Sequence, residues 1–262
     1  MNIRALVAEA IGTFVLVTFG SLGVATVVII SQGTPNPLLA VLIIPFSFGL
    51  GLMAAIGIAG PASGGHFNPA VTLAALFDNR LDWKHAIGYV IAQIAGALAA
   101  SLGILMVTTI NVVGATVNQP GPTAETLLAM ELHAFTVEAI LTAAFVAVIL
   151  TVTRRAPDQA ILVIPFTLVA IHYVAIQISG ASVNPARSLA PAVVSGSYGS
   201  LWVYLTAPFV GSILGWAVYR FLTPPDELEG EDEDQDGDAD DDEDEEYDRS
   251  LQDEDRELDD DD

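Results

Sequence analysis

Ser63-Gly64-Gly65-His66-Phe67-Asn68-Pro69-Ala70-Val71-Thr72 and Ser182-Val183-Asn184-Pro185-Ala186-Arg187-Ser188 decide the reading of this chain. Each contains Asn-Pro-Ala, and each opens a short apolar run. Asn is a preferred helix N-cap and Pro is favoured at the first helical position, so Asn68-Pro69-Ala70 and Asn184-Pro185-Ala186 read as helix starts. Proline also biases the residue before it away from the α region, which suits a cap. The runs that follow, Pro69–Phe77 and Pro185–Ser195, are short. At about 1.5 Å per residue each reaches roughly 15 Å, half of a hydrocarbon core about 30 Å thick. Two half-length helices whose capped ends meet at mid-membrane are the signature of a pore.

The rest of the chain supplies the membrane. Its mean hydropathy of +0.54 exceeds what soluble globular domains usually show. Six apolar stretches are long enough to span: Leu6–Ile30, Leu38–Ala59, Ala86–Thr109, Phe135–Val152, Ala160–Ile178 and Leu201–Leu222. The first carries Glu9 and runs too long for the apolar region of a signal peptide. Gly96, Gly103, Gly211 and Gly215 are expected to permit close helix packing. Cysteine is absent, which excludes a disulfide scaffold and a thiolate metal site.

Charge is divided sharply. The formal net charge is −23, and residues 226–262 alone hold 25 acidic and 2 basic residues. The preceding 225 residues hold 7 of each sign and are neutral. We therefore expect a channel domain over 1–225 and a disordered acidic tail over 226–262. Nothing in the tail spaces ligands as a calcium loop does. Arg4, Arg80, Lys84, Arg154, Arg155 and Arg220 flank alternate ends of the spans, while the loops Ser31–Pro37 and Ile110–Ala134 have no Lys or Arg. The positive-inside rule then puts both termini in the cytoplasm, and the chain is expected in the plasma membrane.

The chain also repeats itself. Val7-Ala8-Glu9-Ala10 with Thr13 returns as Thr136-Val137-Glu138-Ala139 with Thr142, and an Asn-Pro-Ala follows each in a matching place. Three spans per half make the second copy start on the opposite side. The halves, roughly 1–115 and 130–225, are inverted, as they are in many secondary transporters.

These residues resemble the aquaporins, or major intrinsic proteins, over roughly 1–222, and most resemble the water-selective prokaryotic members. The resemblance implies an all-α hourglass of six transmembrane helices and two re-entrant half-helices, assembled as a homotetramer in the lipid bilayer with one pore per subunit. It implies a selectivity filter of Phe48, His172, Ala181 and Arg187, and a pore lined by backbone carbonyls of Gly64, Gly65 and His66. A bulky Phe with a polar-edged His is the water-selective pattern. Ser188, where glycerol channels tend to have Asp, points the same way. Ala181 is smaller than the Thr or Cys common in water channels, and Leu205 is more like the glycerol group.

The chemistry stands beside the resemblance. A capping Asn spends its side-chain oxygen on first-turn N–H groups and keeps its NH₂ for the lumen, where two such donors hold a passing water oxygen. Each helix start adds about half a positive charge. With Arg187, these fields repel cations and hydronium, the known basis of aquaporin-type selectivity. Glu9 and Glu138 are expected to be structural, accepting hydrogen bonds from re-entrant backbone that lipid cannot satisfy. The expected function is passive water conduction that excludes protons and ions. Facilitation of glycerol or other small neutral solutes is the alternative. A secondary transporter is disfavoured because no other acidic residue lies deep in a span. No catalytic constellation, cofactor, metal site or nucleic-acid partner is expected.

Overall fold

The computed structural model describes residues 2–32, 34 and 36–224. The acidic tail expected over 226–262 lies outside them. Residues Met1–Tyr219 pack as one compact unit, and a second unit begins at Arg220.

Nine α-helices occur among the described residues: α1 Ile3–Ile30, α2 Pro37–Ser63, α3 Pro69–Phe77, α4 Trp83–Val107, α5 Ile110–Ala115, α6 Leu127–Arg155, α7 Ala160–Ala175, α8 Pro185–Ser195 and α9 Leu201–Leu222. A 3-10 turn, Pro157–Gln159, leads into α7. Six of these elements are long and apolar enough to cross a membrane. The protein is a multi-pass, all-helical membrane protein. The large apolar side chains of Ile91, Met106 and Ile140 are more than half exposed on this chain, as suits a membrane setting.

Local chemistry sets the helix ends. Asn36 accepts from Leu39 N at 3.1 Å and starts α2 at Pro37. Thr126 accepts from Ala129 N at 3.3 Å, so α6 begins at Leu127, before the expected Phe135. The fifth span stops at Ala175, short of the expected Ile178, because its last turn tightens: Ile178 and Ser179 N–H both reach the Ala175 carbonyl at 2.9 Å. Helix α5 was not legible in the sequence. It is a single short stretch capped by Thr109, too brief for a hydrophobic period to register.

Glycines bring the long helices together at two equivalent crossings. A Cβ at Gly96 would overlap the carbonyl oxygen of Ala10, joining α4 to α1. One at Gly211 would overlap that of Ala139, joining α9 to α6. Gly215 meets Ala143 in the same way, whereas Gly103 faces nothing within 4 Å and is not a packing glycine. The matched crossings, each one residue after Glu9 or Glu138, show the internal repeat in three dimensions.

On the loop side, Asp82 caps α4. Its carboxylate accepts from the N–H groups of Lys84 at 2.7 Å and His85 at 2.9 Å, and contacts His85 Nδ1 at 2.6 Å. The His85 backbone and ring bonds hold its carboxyl down, to about 2. A carboxyl depressed in the folded state stabilises above its unfolded range, and the contribution disappears as pH falls through about 2. Asp82→Ala is thus expected to lower the melting temperature of detergent-solubilised protein at neutral pH. The deficit should shrink as the buffer is acidified towards that value, as a thermal-melt series at stepped pH would show.

Candidate pore and its constriction

Both half-helices fall where their sequence placed them. Asn68 Oδ1 accepts from Ala70 N at 2.9 Å, and Asn184 Oδ1 accepts from Ala186 N at 3.1 Å and Arg187 N at 3.2 Å. Pro69 and Pro185 occupy the first helical positions. Ala70 and Ala186 are buried, Ala186 among Val17, Ala97 and Ala190. Small side chains here let α4 lie close to α8.

The amide groups differ from expectation. Neither NH₂ is wholly free for the lumen. Asn68 Nδ2 donates to the Val183 carbonyl at 2.7 Å, and Asn184 Nδ2 donates to the Phe67 carbonyl at 2.9 Å. These reciprocal bonds clasp the two halves at their pseudo-twofold axis. An amide carries two N–H bonds, so one remains on each Asn, and both residues line the central cavity.

The preceding loops are strained and held. Gly64, Gly65 and Gly180 have positive φ, as do the non-glycine residues Phe67 (48°), Ala181 (51°) and Val183 (46°). A β-branched residue there is an outlier that persists only when its surroundings over-determine it. Glu138 does so at Val183: Oε2 accepts its N–H at 2.7 Å, while Oε1 accepts from Ser182 N at 2.8 Å and Ser179 Oγ at 2.7 Å. Glu9 treats the first loop alike, accepting from Phe67 N at 2.7 Å, His66 N at 2.9 Å and Ser63 Oγ at 2.7 Å. Both carboxylates are buried, and their geometry is that of a support for re-entrant backbone.

The first half carries more. Gln93 Nε2 donates to Glu9 Oε2 at 2.7 Å and to Thr72 Oγ1 at 2.9 Å, and Thr72 Oγ1 contacts His66 Nδ1 at 3.1 Å. The tyrosine OH of Tyr89 donates to the Ser63 carbonyl at 2.9 Å. Tyr204 occupies the equivalent place on α9, four residues before the Pro208 that matches Gln93, yet its buried hydroxyl has no hydrogen-bond partner among the described residues. Sequence reasoning missed Gln93, Ser63, Ser179 and Tyr89. Only the two serines left a signal, each five residues before an Asn cap.

A cavity of about 90 Å³ runs past Gly64, Gly65, His66, Asn68 and Asn184 to Phe48, His172 and Arg187. Leu16, Leu52, Ile56, Val71, Phe145 and Ile164 make much of the rest of its wall apolar. A second cavity of about 310 Å³ lies beyond, lined by residues of the α5–α6 loop and by Arg187, but not by Phe48 or His172. Arg187 is therefore the residue common to both.

Phe48, His172 and Arg187 are in mutual reach. The rings of Phe48 and His172 stack with centroids 4.5 Å apart and planes 20° apart. Arg187 Cζ stands 4.7 Å from the Phe48 centroid, within cation–π range. His172 Nδ1 lies 2.9 Å from the Leu168 carbonyl, an acceptor only, so Nδ1 carries hydrogen. Its Nε2 is buried and has no hydrogen-bond partner among the described residues. Ala181 is not among the residues lining either cavity: it is fully buried, in the apolar cluster with Phe67 and Val183. Among the described residues no group of three or more His, Asp or Glu gathers as metal ligands.

Comparison with known proteins agrees with this architecture. Residues 1–219 match the family model "Major intrinsic protein", and the chain belongs to that family of membrane channels. It is 43% identical over 216 residues to "Glycerol uptake facilitator protein-like 6" of Lactiplantibacillus plantarum, covering 80% of this chain and 94% of that one. It is 36% identical over 240 residues to "Aquaporin Z" of Rhodopseudomonas palustris, covering 86% and 95%. The fold is shared with the X-ray structure of the aquaglyceroporin from Plasmodium falciparum, at TM-score 0.74 and 24% identity, covering 86% of this chain and 98% of that one.

Proposed function

We propose that this protein is a passive water channel that excludes protons and ions. The observation that carries the reading is the convergence of two capped helix starts, Asn68 and Asn184, with Phe48, His172 and Arg187 on one narrow cavity. Two N-termini contribute about half a positive charge each, and a full charge on Arg187 adds to them at the constriction. Water needs only the spare N–H groups of the two Asn side chains, His172 Nε2 and the loop carbonyls of Gly64, Gly65 and His66. Pro69, Ala70, Pro185 and Ala186 serve by starting and seating the half-helices, and Glu9 and Glu138 by holding the loops. Ala181 contributes by its small size behind the filter.

A second reading, facilitation of glycerol or another small neutral solute, is favoured by Leu205 and by the 43% identity to a protein named as a glycerol facilitator. Stopped-flow light scattering on proteoliposomes separates the two. The water reading expects rapid shrinkage with an impermeant osmolyte and slow re-swelling with glycerol. Re-swelling as fast as the shrinkage would install the solute reading in its place.

The channel domain is taken as 1–225, working as a homotetramer in the plasma membrane with both termini cytoplasmic. The acidic segment 226–262 follows the last span and is read as a solvated appendage. Truncation after Pro225 is expected to leave per-channel water flux nearly unchanged and to lower solubility or alter salt tolerance. A several-fold fall or rise in flux at equal reconstitution would make the segment a gate.

A further inference from the structure

Resting on the channel reading above, we propose that Asn118 is a specificity-determining positioning residue of the constriction, fixing the Arg187 guanidinium without neutralising it. Asn118 lies in the loop between α5 and α6 and is 4% exposed. Both side-chain hydrogen bonds that Arg187 makes go to this loop. Its Nη1 donates to the Thr116 carbonyl at 3.2 Å and to Asn118 Oδ1, while its Nε has no partner among the described residues.

The Asn118 carboxamide is itself held at both ends. Oδ1 also accepts from Ser188 Oγ at 2.7 Å, which fills its two lone pairs. Nδ2 donates to the Gly180 carbonyl at 2.9 Å. One side chain thus ties together the loop before α8, the first turn of α8 and the guanidinium. Arg187 in turn sits against the Phe48 ring that stacks on His172, so its position sets how the three groups share the passage. A carboxylate at this place would still accept from Arg187 but would have no donor for the Gly180 carbonyl, and it would cancel the charge that faces a permeating cation. The amide gives placement alone.

The test measures the glycerol-to-water permeability ratio and the cation leak in proteoliposomes. Asn118→Ala, which frees the guanidinium, is expected to raise the ratio by about tenfold, the scale of one lost hydrogen bond to a charged group. In an Arg187→Val background the same change should move the ratio no further. Asn118→Asp, which keeps the bond to Arg187 but loses the one to Gly180, should raise the ratio less than Asn118→Ala does and raise the cation leak several-fold. Should Asn118→Ala fail to fold, the Asp variant decides by itself. An unchanged ratio in Asn118→Ala, an equal effect with and without Arg187, or an Asp variant that leaks no more than wild type would overturn the proposal. In each of those cases a conducting wild type leaves the channel reading standing. A wild type that moves neither water nor glycerol above empty liposomes would sink both.

Discussion

Replacing Arg187 by valine is expected to open the channel to cations. Arg187 is 5% exposed and is the residue shared by the inner and outer cavities, so a permeating ion must pass its charge at close range. Two unit charges 4 Å apart at an effective dielectric constant near 20 repel by about 4 kcal/mol, which makes the guanidinium a barrier of roughly two to three orders of magnitude. The substitution also leaves the buried Glu138 carboxylate on α6 without the nearby positive charge of Arg187. Cation and proton leak should rise by about a hundredfold, and water flux should change far less. Dye-monitored leak in vesicles under an imposed potential measures this. A leak unchanged in the folded variant would mean that the two half-helix fields suffice alone. Loss of water flux with the fold retained would make Arg187 structural.

Removing the imidazole of His172 is the second large change. The ring lines the inner cavity and stacks on Phe48 at 4.5 Å, and its Nε2 has no hydrogen-bond partner among the described residues. His172→Gly takes away both bulk and a polar contact, so the constriction widens and discriminates less by size. Glycerol permeability should rise on the order of tenfold, the scale on which a pocket of fixed shape distinguishes small groups. The glycerol-to-water ratio of wild type and variant in the same vesicles is the readout. Fast glycerol passage in the wild type, with no rise in the variant, would place selectivity elsewhere along the cavity.

Much of this was legible because it is local. An Asn cap, a Pro at the first helical position and a short apolar run are adjacent in sequence, and α3 and α8 begin and end where that grammar sets them. The repeat of Glu9 and Glu138 was legible because each opens its half as Glu-Ala with a Thr four residues after the Glu, ahead of its Asn-Pro-Ala. The rest depends on contacts between distant positions. Asn118 meets Arg187 across 69 residues of chain, from a loop with no periodicity to mark it. The reciprocal amide bonds of Asn68 and Asn184 span 115 and 117 residues, and capping rules alone leave those NH₂ groups free. Gln93 looked like one polar residue in an apolar span until the fold set it between Glu9 and Thr72.

The inverted repeat is matched in backbone support but not in side-chain detail. Ser63 and Ser179, and Phe67 and Val183, occupy equivalent places and make equivalent bonds. Around them the halves diverge: Gln93 and a bonded Tyr89 on one side face Pro208 and an unbonded Tyr204 on the other. The half containing Arg187 has exchanged that polar buttress for the loop carrying Thr116 and Asn118. Symmetry supplies the hourglass, and its breaking supplies a constriction on one side only.

The central claim is that the cavity conducts passively, and water flux measured against temperature and against imposed ion gradients tests it most directly. Purified protein in liposomes should raise osmotic water permeability well above empty vesicles, with weak temperature dependence, no saturation, and no response to a proton or sodium gradient. Flux that saturates, depends steeply on temperature, or follows an ion gradient would identify a transport cycle and contradict the account.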